Sequence, residues 1–412
     1  MSLKLYNLFI HIYGVLIRVA ALFNPKARRL LRGRKAIFAN LEGIIVETDR
    51  YVWFHCASLG EFEQGRPVIE RFRETYPEFK ILLTFYSPSG FEVRKSYKKV
   101  DIVSYLPLDT ADNANRFLNI VKPELAVFVK YEFWPNILFG LKKRKIPAVS
   151  VSAIFRQNQV YFWDFGQFFK DVLKTIDHYF VQDKNSVQLL ENIGINNAIV
   201  AGDTRFDRVL DLASQPVKFQ EIATFKGEKP CFIAGSTWEA DEDLILDYFL
   251  SNDDWKVVIV PHEVQPAHLS SLMEKCQGQA VLHSTAPENL ADIKILIIDT
   301  IGKLSKIYKY ADVSYVGGGF GKGLHNVLEP AVWGVPIIIG PHYQKFKEAK
   351  GLVDLKAAIP VVEKEDFPKI IKKLSDPEKR AKKGKAAKEY VEQNAGATQV
   401  IVAEIGKILE GK

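Results

Sequence analysis

Residues 51–76 read YVWFHCASLGEFEQGRPVIERFRETY, and this stretch decides the fold. The apolar, aromatic and β-branched run at residues 51–56 is typical of a strand buried on both faces of a parallel sheet. A turn of small residues follows, and residues 62–76 then carry the apolar spacing of an amphipathic helix. A buried strand that leads through a short turn into a helix is the repeating unit of a doubly wound α/β domain.

The same unit recurs along the chain, which predicts two α/β domains. Further helices are expected at residues 112–121 and 241–250. We expect strands at residues 51–56, 81–85, 101–106, 125–130, 148–152, 179–182, 198–201, 231–234, 256–260, 280–282, 294–298, 313–316 and 336–339.

Residues 210–230 interrupt this alternation, because they contain two prolines and no strand pattern. We therefore place the junction between the two domains there. The predicted organisation is an N-terminal segment at 1–35, a first domain at 36–215 and a second domain at 216–412. We expect that the last helix of the second domain can pack back on the first domain.

Composition and charge exclude several classes of protein. The chain has 412 residues, of which 47% are hydrophobic and 25% charged, as in folded globular proteins. Its three cysteines lie far apart, which excludes a disulfide scaffold, argues against structural zinc and fits a reducing compartment. The net charge of +7 comes from the first 35 residues, which hold eight Lys and Arg and no Asp or Glu. The rest is nearly neutral, so nucleic acid is not an expected partner.

The N-terminal segment is expected to attach the protein to a membrane. Residues 5–23 are a 19-residue apolar run interrupted by Asn7, His11 and Arg18, and a basic run follows at 26–35. A signal peptide has its positive charges before the apolar run, not after it. The alternatives are a spanning anchor, an interfacial helix and a helix packed on the first domain. Basic residues beside an apolar helix favour an anionic membrane surface, with the basic side cytoplasmic.

Two turns that follow strands carry candidate catalytic or binding residues. Glu61 stands at the start of a helix, where a carboxylate is either a general base or a favourable partner for the helix dipole. Ser236 and Thr237 follow a strand and precede a helix, so they bind a phosphate or cap that helix. The acidic run 241–243 spells a metal motif, but its place in a first helical turn favours a dipole partner instead.

The most informative loop lies at residues 315–329, YVGGGFGKGLHNVLE. Its five glycines follow a strand and permit a ligand to approach the backbone closely. A helix is expected to start near His325 or Asn326, which places Asn326 and Glu329 one turn apart. Glu329 then either accepts hydrogen bonds from ribose hydroxyls or serves as a capping residue.

Eight segments occur in an order and spacing that resemble one family. They are HCASLGE at 55–61, EFWPN at 132–136, SAIFR at 152–156, GDTRFD at 202–207, AGSTWEADE at 234–242, PHE at 261–263, DTIGKL at 299–304 and GLHNVLEPA at 323–331. In these segments the chain resembles the 3-deoxy-D-manno-octulosonic acid (Kdo) transferases of lipopolysaccharide synthesis. The resemblance runs over nearly the whole chain.

The resemblance implies roles for particular residues. Glu61 matches the proposed base of the family, and Glu132 and Arg205 match positions that stabilise the transition state, although Lys is more usual at the latter. The segments that match those holding CMP are Pro261 and His262; Ile301, Gly302 and Lys303; and Asn326, Val327, Leu328 and Glu329. The chain has Pro-His-Glu at 261–263 where the family often has Pro-Arg-His.

The resemblance also implies an α/β GT-B fold, in which two Rossmann-like domains face a cleft, with an N-terminal membrane-anchor helix. It implies an inverting transfer of Kdo from CMP-Kdo to a lipid A precursor of the lipid IVA type, at the cytoplasmic face of the inner membrane. The expected partners are CMP-Kdo, the lipid A precursor and an anionic membrane surface, and no metal or other cofactor is expected. Alternatives are another GT-B lipid-linked glycosyltransferase, a nucleotide-sugar epimerase, and a membrane-tethered nucleotide-sugar binding protein without turnover.

Overall fold

The computed structural model describes residues 2–216, 218–287 and 289–411. The chain forms two units, Met1–Arg208 with Ala395–Lys412 and Val209–Asn394. Each unit is built on a parallel sheet with helices packed against it, which confirms the predicted pair of α/β domains.

The first unit alternates strands and helices in the predicted manner. Its strands are β1 (Tyr51–Cys56), β2 (Lys80–Phe85), β3 (Ile102–Tyr105), β4 (Leu125–Val129), β5 (Ala148–Ala153), β6 (His178–Val181) and β7 (Ala198–Val200). Its helices are α1 (Leu3–Phe23), α2 (Pro25–Arg34), α3 (Ile37–Ile44), α4 (Leu59–Thr75), α5 (Pro88–Arg94), α6 (Ala111–Val121), α7 (Pro135–Lys143), α8 (Gln167–Leu173), α9 (Lys184–Glu191) and α10 (Thr204–Ser214).

The second unit repeats the pattern. Its strands are β8 (Cys231–Thr237), β9 (Lys256–Pro261), β10 (Ala280–Leu282), β11 (Ile295–Ile297), β12 (Val313–Val316), β13 (Ile337–Ile339) and β14 (Ala358–Pro360). The later helices are α11 (Gln220–Lys226), α12 (Glu239–Phe249), α13 (Pro266–Lys275), α14 (Leu304–Ile307), α15 (Leu328–Ala331), α16 (Lys347–Asp354), α17 (Asp366–Leu374), α18 (Pro377–Asn394) and α19 (Ala397–Glu410). Every predicted strand is present, and β14 is an addition.

The strand orders identify where ligands are expected to bind. The first sheet has the order β3-β2-β1-β4-β5-β6-β7, and the second has β10-β11-β9-β8-β12-β13-β14. The direction of winding therefore reverses between β1 and β4 in one sheet and between β8 and β12 in the other. In doubly wound sheets ligands bind at the carboxyl ends of the strands beside such a reversal. The loops after these four strands are thus the candidate site of each unit.

The unit boundary differs from the predicted one at 215/216, because it runs inside a helix. Arg208, in the first half of α10, pairs with Glu63 of α4, so the start of α10 belongs to the first unit. Helix α19 also belongs there: its N-terminus is held by Asp207, whose carboxylate accepts from the Thr398 amide at 2.8 Å. Burial of its apolar face, including Ile401, in the core of the first sheet fixes α19 on that unit.

The N-terminal segment packs along the first unit instead of standing apart from it. Helix α1 buries Ile10, Ile17 and Ala21, which recur at helical spacing and form one face. Polar contacts add to this docking, since the Tyr6 hydroxyl donates to Asp109 at 2.8 Å. The opposite face is apolar and exposed, and α1 is the helix among the described residues that is long and apolar enough to cross a membrane.

Candidate active site

Glu61 lies in the first turn of α4, beside the winding reversal of the first sheet. The helix starts at Leu59, earlier than predicted, because the Ser58 side chain caps it by accepting from the Glu61 amide at 3.4 Å. The Glu61 carboxylate accepts from the Ala57 amide at 2.5 Å. This bond turns the carboxylate back toward the strand end.

The surroundings of Glu61 favour its protonated form. Burial, and after it the negative charge of Glu132, raises the pKa of Glu61 from 4.5 to about 7, although the Ala57 amide and Lys130 act in the opposite direction. A carboxyl group with a pKa near neutrality accepts and releases protons readily at physiological pH. Glu61 therefore has the electrostatic setting of a general base.

Glu132 follows β4, on the other side of the same winding reversal. The strand ends at Val129, and the next residue, Lys130, has a strained φ of 63° in the left-handed region. The Glu132 side chain is 16% exposed, and its Oε2 accepts from the Trp134 indole at 3.0 Å. It lies 3.5 Å from Nε2 of His55, which belongs to β1. The structure thus places Glu132 close enough to Glu61 for its charge to raise the pKa of Glu61.

A buried polar network behind Glu132 was missed by sequence reasoning. His55 is fully buried in β1, and its Nδ1 lies 2.9 Å from the Thr84 hydroxyl of β2. Thr84 also accepts from the Trp53 indole at 2.7 Å. The signal was present in the sequence, because a His and a Thr stand out in otherwise apolar strands. Their contact depends on the pairing of β1 with β2, which places His55 opposite Thr84.

Arg205 lies at the start of α10 and is paired with an acid. Its guanidinium donates through Nε and Nη2 to Asp203 Oδ2, at 2.9 and 2.7 Å. The neighbouring Thr204 hydroxyl donates to the Gln64 carbonyl of α4 at 2.6 Å. This bond holds the start of α10 against the helix that carries Glu61.

In the second unit, Ser236 and Thr237 form an irregular end of β8. A bulge interrupts the pairing with β9, and Ser236 adopts a φ of 53°, which is uncommon for a residue other than glycine. The Thr237 hydroxyl donates to Glu242 at 2.9 Å and is 1% exposed. Thr237 therefore holds the first turn of α12, and Ser236 is the more accessible of the two hydroxyls.

The acidic run at 241–243 is used structurally. Asp241 accepts from the Tyr315 hydroxyl at 2.6 Å and from the Gly318 amide at 2.9 Å, which fixes the glycine loop on α12. Asp243 pairs with Lys275 at 2.7 Å. Across residues 2–216, 218–287 and 289–411 there is no group of three or more His, Cys, Asp or Glu residues arranged to hold a metal ion.

The glycine loop packs closely against neighbouring backbone. A Cβ on Gly317 would lie 2.2 Å from the Ser236 carbonyl oxygen, and one on Gly319 would lie 2.7 Å from Gly340. These two glycines are thus required by the packing of the loops. Gly321 and Gly323 have open space at the same position, but their positive φ values of 155° and 106° favour glycine.

An aromatic cluster lies beside the glycine loop. The rings of His262 and His325 stack at 4.3 Å, and His325 Nε2 accepts from the Trp238 indole at 3.1 Å. Burial, and after it the charge of His262, lowers the pKa of His325 to about 4, which fits its role as a neutral acceptor. Trp238 also lines a cavity of about 810 Å³, together with Lys322 and Glu263.

The remaining residues predicted to bind nucleotide fall into two groups. Asn326 and Glu329 contact each other at 3.3 Å, and the helix begins at Leu328, later than predicted, because the Asn326 side chain accepts from the Leu328 amide. Val327 and Leu328 are fully buried. Of the second group, Pro261 is the last residue of β9, Ile301 is 89% exposed, Gly302 has a φ of 93°, and Lys303 lies 4.0 Å from Glu221.

Comparison with known proteins finds a family model that matches most of the first unit. The family model described as 3-deoxy-D-manno-octulosonic-acid transferase (kdotransferase) matches residues 28–208. Those residues are similar to the Kdo transferases. This confirms the resemblance drawn from the motifs, and Glu61, Glu132 and Arg205 all lie within the matched region.

Curated relatives extend the similarity over most of the chain. The 3-deoxy-D-manno-octulosonic acid transferase of Rickettsia bellii is 26% identical and covers 90% of this chain and 89% of its own. That of Haemophilus influenzae is 25% identical, with 94% and 93% covered. That of Aquifex aeolicus is 27% identical, with 74% and 80% covered. The protein is therefore a glycosyltransferase related to the Kdo transferases.

Solved structures agree with the fold. A UDP-GlcNAc 2-epimerase from Neisseria meningitidis matches with a TM-score of 0.62 and 15% identity, covering 87% of this chain and 100% of that one. MurG of Acinetobacter baumannii matches with a TM-score of 0.56 and 13% identity, covering 87% and 99%. The α/β fold of this chain is thus one that these solved structures share.

Proposed function

We propose that this Kdo-transferase relative moves Kdo from CMP-Kdo to a lipid A precursor of the lipid IVA type, with inversion at the anomeric carbon, in lipopolysaccharide synthesis. The observation that carries the proposal is the position of Glu61 at the winding reversal of the first sheet, where burial and the charge of Glu132 raise its pKa. Transfer requires the acceptor hydroxyl to lose a proton as it attacks, so a carboxylate with a pKa near neutrality is the fitting base.

In this proposal Glu61 takes the proton of the acceptor hydroxyl while the oxygen attacks the anomeric carbon of Kdo. The bond to the phosphate of CMP breaks, and CMP leaves with the electron pair. The negative charge of Glu132 helps to raise the pKa of Glu61. Arg205 is proposed to stabilise charge that develops in the transition state, as its match to the family motif implies.

We assign the nucleotide to the second unit. Glu329 is proposed to accept hydrogen bonds from the ribose hydroxyls, and Asn326 is proposed to lie beside it at the ribose. Ser236 and His262 are proposed to contact the phosphate. Thr237, Pro261, Val327 and Leu328 are proposed to act through the backbone, because their side chains are buried or already bonded. Ile301, Gly302 and Lys303 complete the set. No metal ion takes part in this proposal.

The protein is proposed to act at the cytoplasmic face of the inner membrane. Helix α1 docks along the first unit on one face, so its exposed apolar face is suited to lie in the plane of the bilayer surface. The exposed Lys26, Arg29 and Arg32 of the next helix are placed to contact anionic headgroups. An anionic lipid acceptor is then available in the same surface.

The test incubates the full-length protein with a lipid A precursor and either radiolabelled CMP-Kdo or radiolabelled UDP-GlcNAc. We expect lipid-bound label from CMP-Kdo only. Label from UDP-GlcNAc would favour another lipid-linked glycosyltransferase, and conversion of free UDP-GlcNAc to its epimer would favour an epimerase. Binding of CMP-Kdo without any transfer would favour a binding protein.

A further inference from the structure

The aromatic loop, residues 160–169, exposes two large rings that the proposed function does not use. It reads VYFWDFGQFF and follows β5. Trp163 is 43% exposed and Phe165 is 77% exposed, and their rings contact each other at 5.4 Å. Such a pair costs free energy in water, and adjacent exposed aromatic residues mark surfaces that bind another apolar body.

The backbone of the loop fixes this exposure. The Phe162 amide donates to the Gln159 carbonyl at 3.0 Å, and the Gly166 amide donates to the Trp163 carbonyl at 2.9 Å. A Cβ on Gly166 would lie 2.3 Å from the Val160 carbonyl oxygen, so the turn accepts only glycine there. The two rings are therefore presented by a defined turn.

The last part of the aromatic loop lies beside the N-terminal part of α1. Its last part packs against that helix, because the rings of Phe168 and Tyr6 lie 6.1 Å apart. Around Tyr6, α1 exposes Leu8 and Phe9, which are 57% and 55% accessible. The loop and the N-terminal part of α1 are thus neighbours, and each of them exposes large apolar side chains.

The inner side of the loop reaches the candidate active site. Tyr161 packs edge-on against Phe133 at 5.8 Å, next to Glu132 in the chain. Burial and, after it, the charge of Glu132 raise the pKa of Tyr161 to about 12. One short loop therefore connects the surroundings of Glu132 with the exposed pair.

We propose that Trp163 and Phe165 insert into the interfacial region of a lipid bilayer, as a second membrane contact beside α1. Proximity to α1, a helix with many exposed apolar side chains that is long and apolar enough to cross a membrane, favours a bilayer over a protein partner. Tryptophan is suited to the membrane–water interface because its ring is apolar and its indole N–H is polar. The consequence of this membrane contact for catalysis rests on the proposed function. The contact holds Glu132 near the surface in which a lipid acceptor lies.

The test measures binding of the full-length protein to vesicles of phosphatidylethanolamine and phosphatidylglycerol by flotation. Trp163→Ser/Phe165→Ser is expected to lower the partition coefficient about 10- to 100-fold, because two exposed rings no longer enter the bilayer. The loss should persist at high salt, since screening weakens only the contribution of the basic residues. Leu355→Ser/Val362→Ser, a matched pair of exposed residues in the second unit, should bind as the wild type does.

A conservative variant guards against misfolding. Trp163→Phe should keep vesicle binding, and it should lose the tryptophan emission that brominated lipids quench in the wild type. Wild-type binding by the double Ser variant would overturn the proposal, as would unquenched Trp163. An unchanged partition coefficient with a raised KM for the acceptor would also overturn it, in favour of contact with the acceptor's acyl chains. Vesicle binding and quenching do not require Kdo transfer, so these two readouts fail independently of the proposed function.

Discussion

Replacing Glu61 by Gln separates a general base from a helix-capping residue, because the structure predicts opposite effects on activity and stability. Gln has the size of Glu and still accepts from the Ala57 amide, which donates to Glu61 at 2.5 Å. It is not a base at neutral pH. Transfer should therefore fall by about 10²–10⁴-fold, the usual contribution of one general base, while binding of CMP-Kdo changes little.

The stability effect follows from the raised pKa. Glu61 has a pKa of about 7 in the folded protein and 4.5 as its ordinary value, so folding favours its protonated form. The penalty on folding is absent below about pH 4.5, grows as the pH rises and is complete above about pH 7. A shift of this size corresponds to at most about 3 kcal/mol, and partial solvent access reduces it, so we expect about 1–3 kcal/mol.

The variant should thus be more stable than the wild type by that amount above neutral pH, and about equally stable near pH 4.5. Denaturant titrations at both pH values and the transfer assay measure the two effects. Glu74→Gln is the matched control, because Glu74 lies on the same helix with 60% of its side chain exposed, and it should change neither quantity. A stable variant with normal turnover, or one that loses about 0.3–1 kcal/mol at both pH values, would refute the role of Glu61 as a base.

The remaining predictions address each unit in turn. Burial raises the pKa of Asp109 to about 7. Tyr6→Phe removes the hydrogen bond that the Tyr6 hydroxyl donates to this carboxylate. Thermal unfolding should therefore show a loss of stability of about 1.5–3 kcal/mol above pH 7 and a smaller loss below it. Glu329→Ala should weaken CMP binding by about 1–3 kcal/mol in calorimetry, and unchanged affinity would exclude it from the nucleotide site. Deletion of residues 1–35 should strongly reduce vesicle binding and keep CMP binding, while transfer to a detergent-dispersed acceptor falls.

The strands were predictable because each carries a local apolar pattern long enough to recognise. β14 (Ala358–Pro360) was missed because it has three residues, lies at a sheet edge and ends in proline. The unit boundary was misplaced because α10 is one continuous helix, and no change of composition marks the point where the contacts change. Only long-range contacts such as Arg208 with Glu63 place it.

The candidate site was predictable as motifs but not as a geometry. Glu61 and Glu132 are 71 positions apart in the sequence, and they meet because β1 and β4 are neighbours. The docking of α1 was ambiguous for a different reason: both of its faces are apolar, so periodicity does not distinguish the face that includes Ile17 from the one that includes Leu16. The tertiary contacts of Tyr6 decide it.

Contacts of α1 and α2 also support the segment of the first unit that carries Glu132. The segment that carries Glu132 ends at Asn136, whose side chain donates to Asn7 of α1 at 2.7 Å. Within the same segment, the Trp134 indole donates to the Glu132 carboxylate, and its ring stacks on Tyr86 at 4.7 Å. The guanidinium of Arg34, at the end of α2, lies over the Tyr86 ring. Removing α1 and α2 therefore frees both supports of the segment that positions Glu132. This is why truncation should lower transfer even where the acceptor is presented without a membrane.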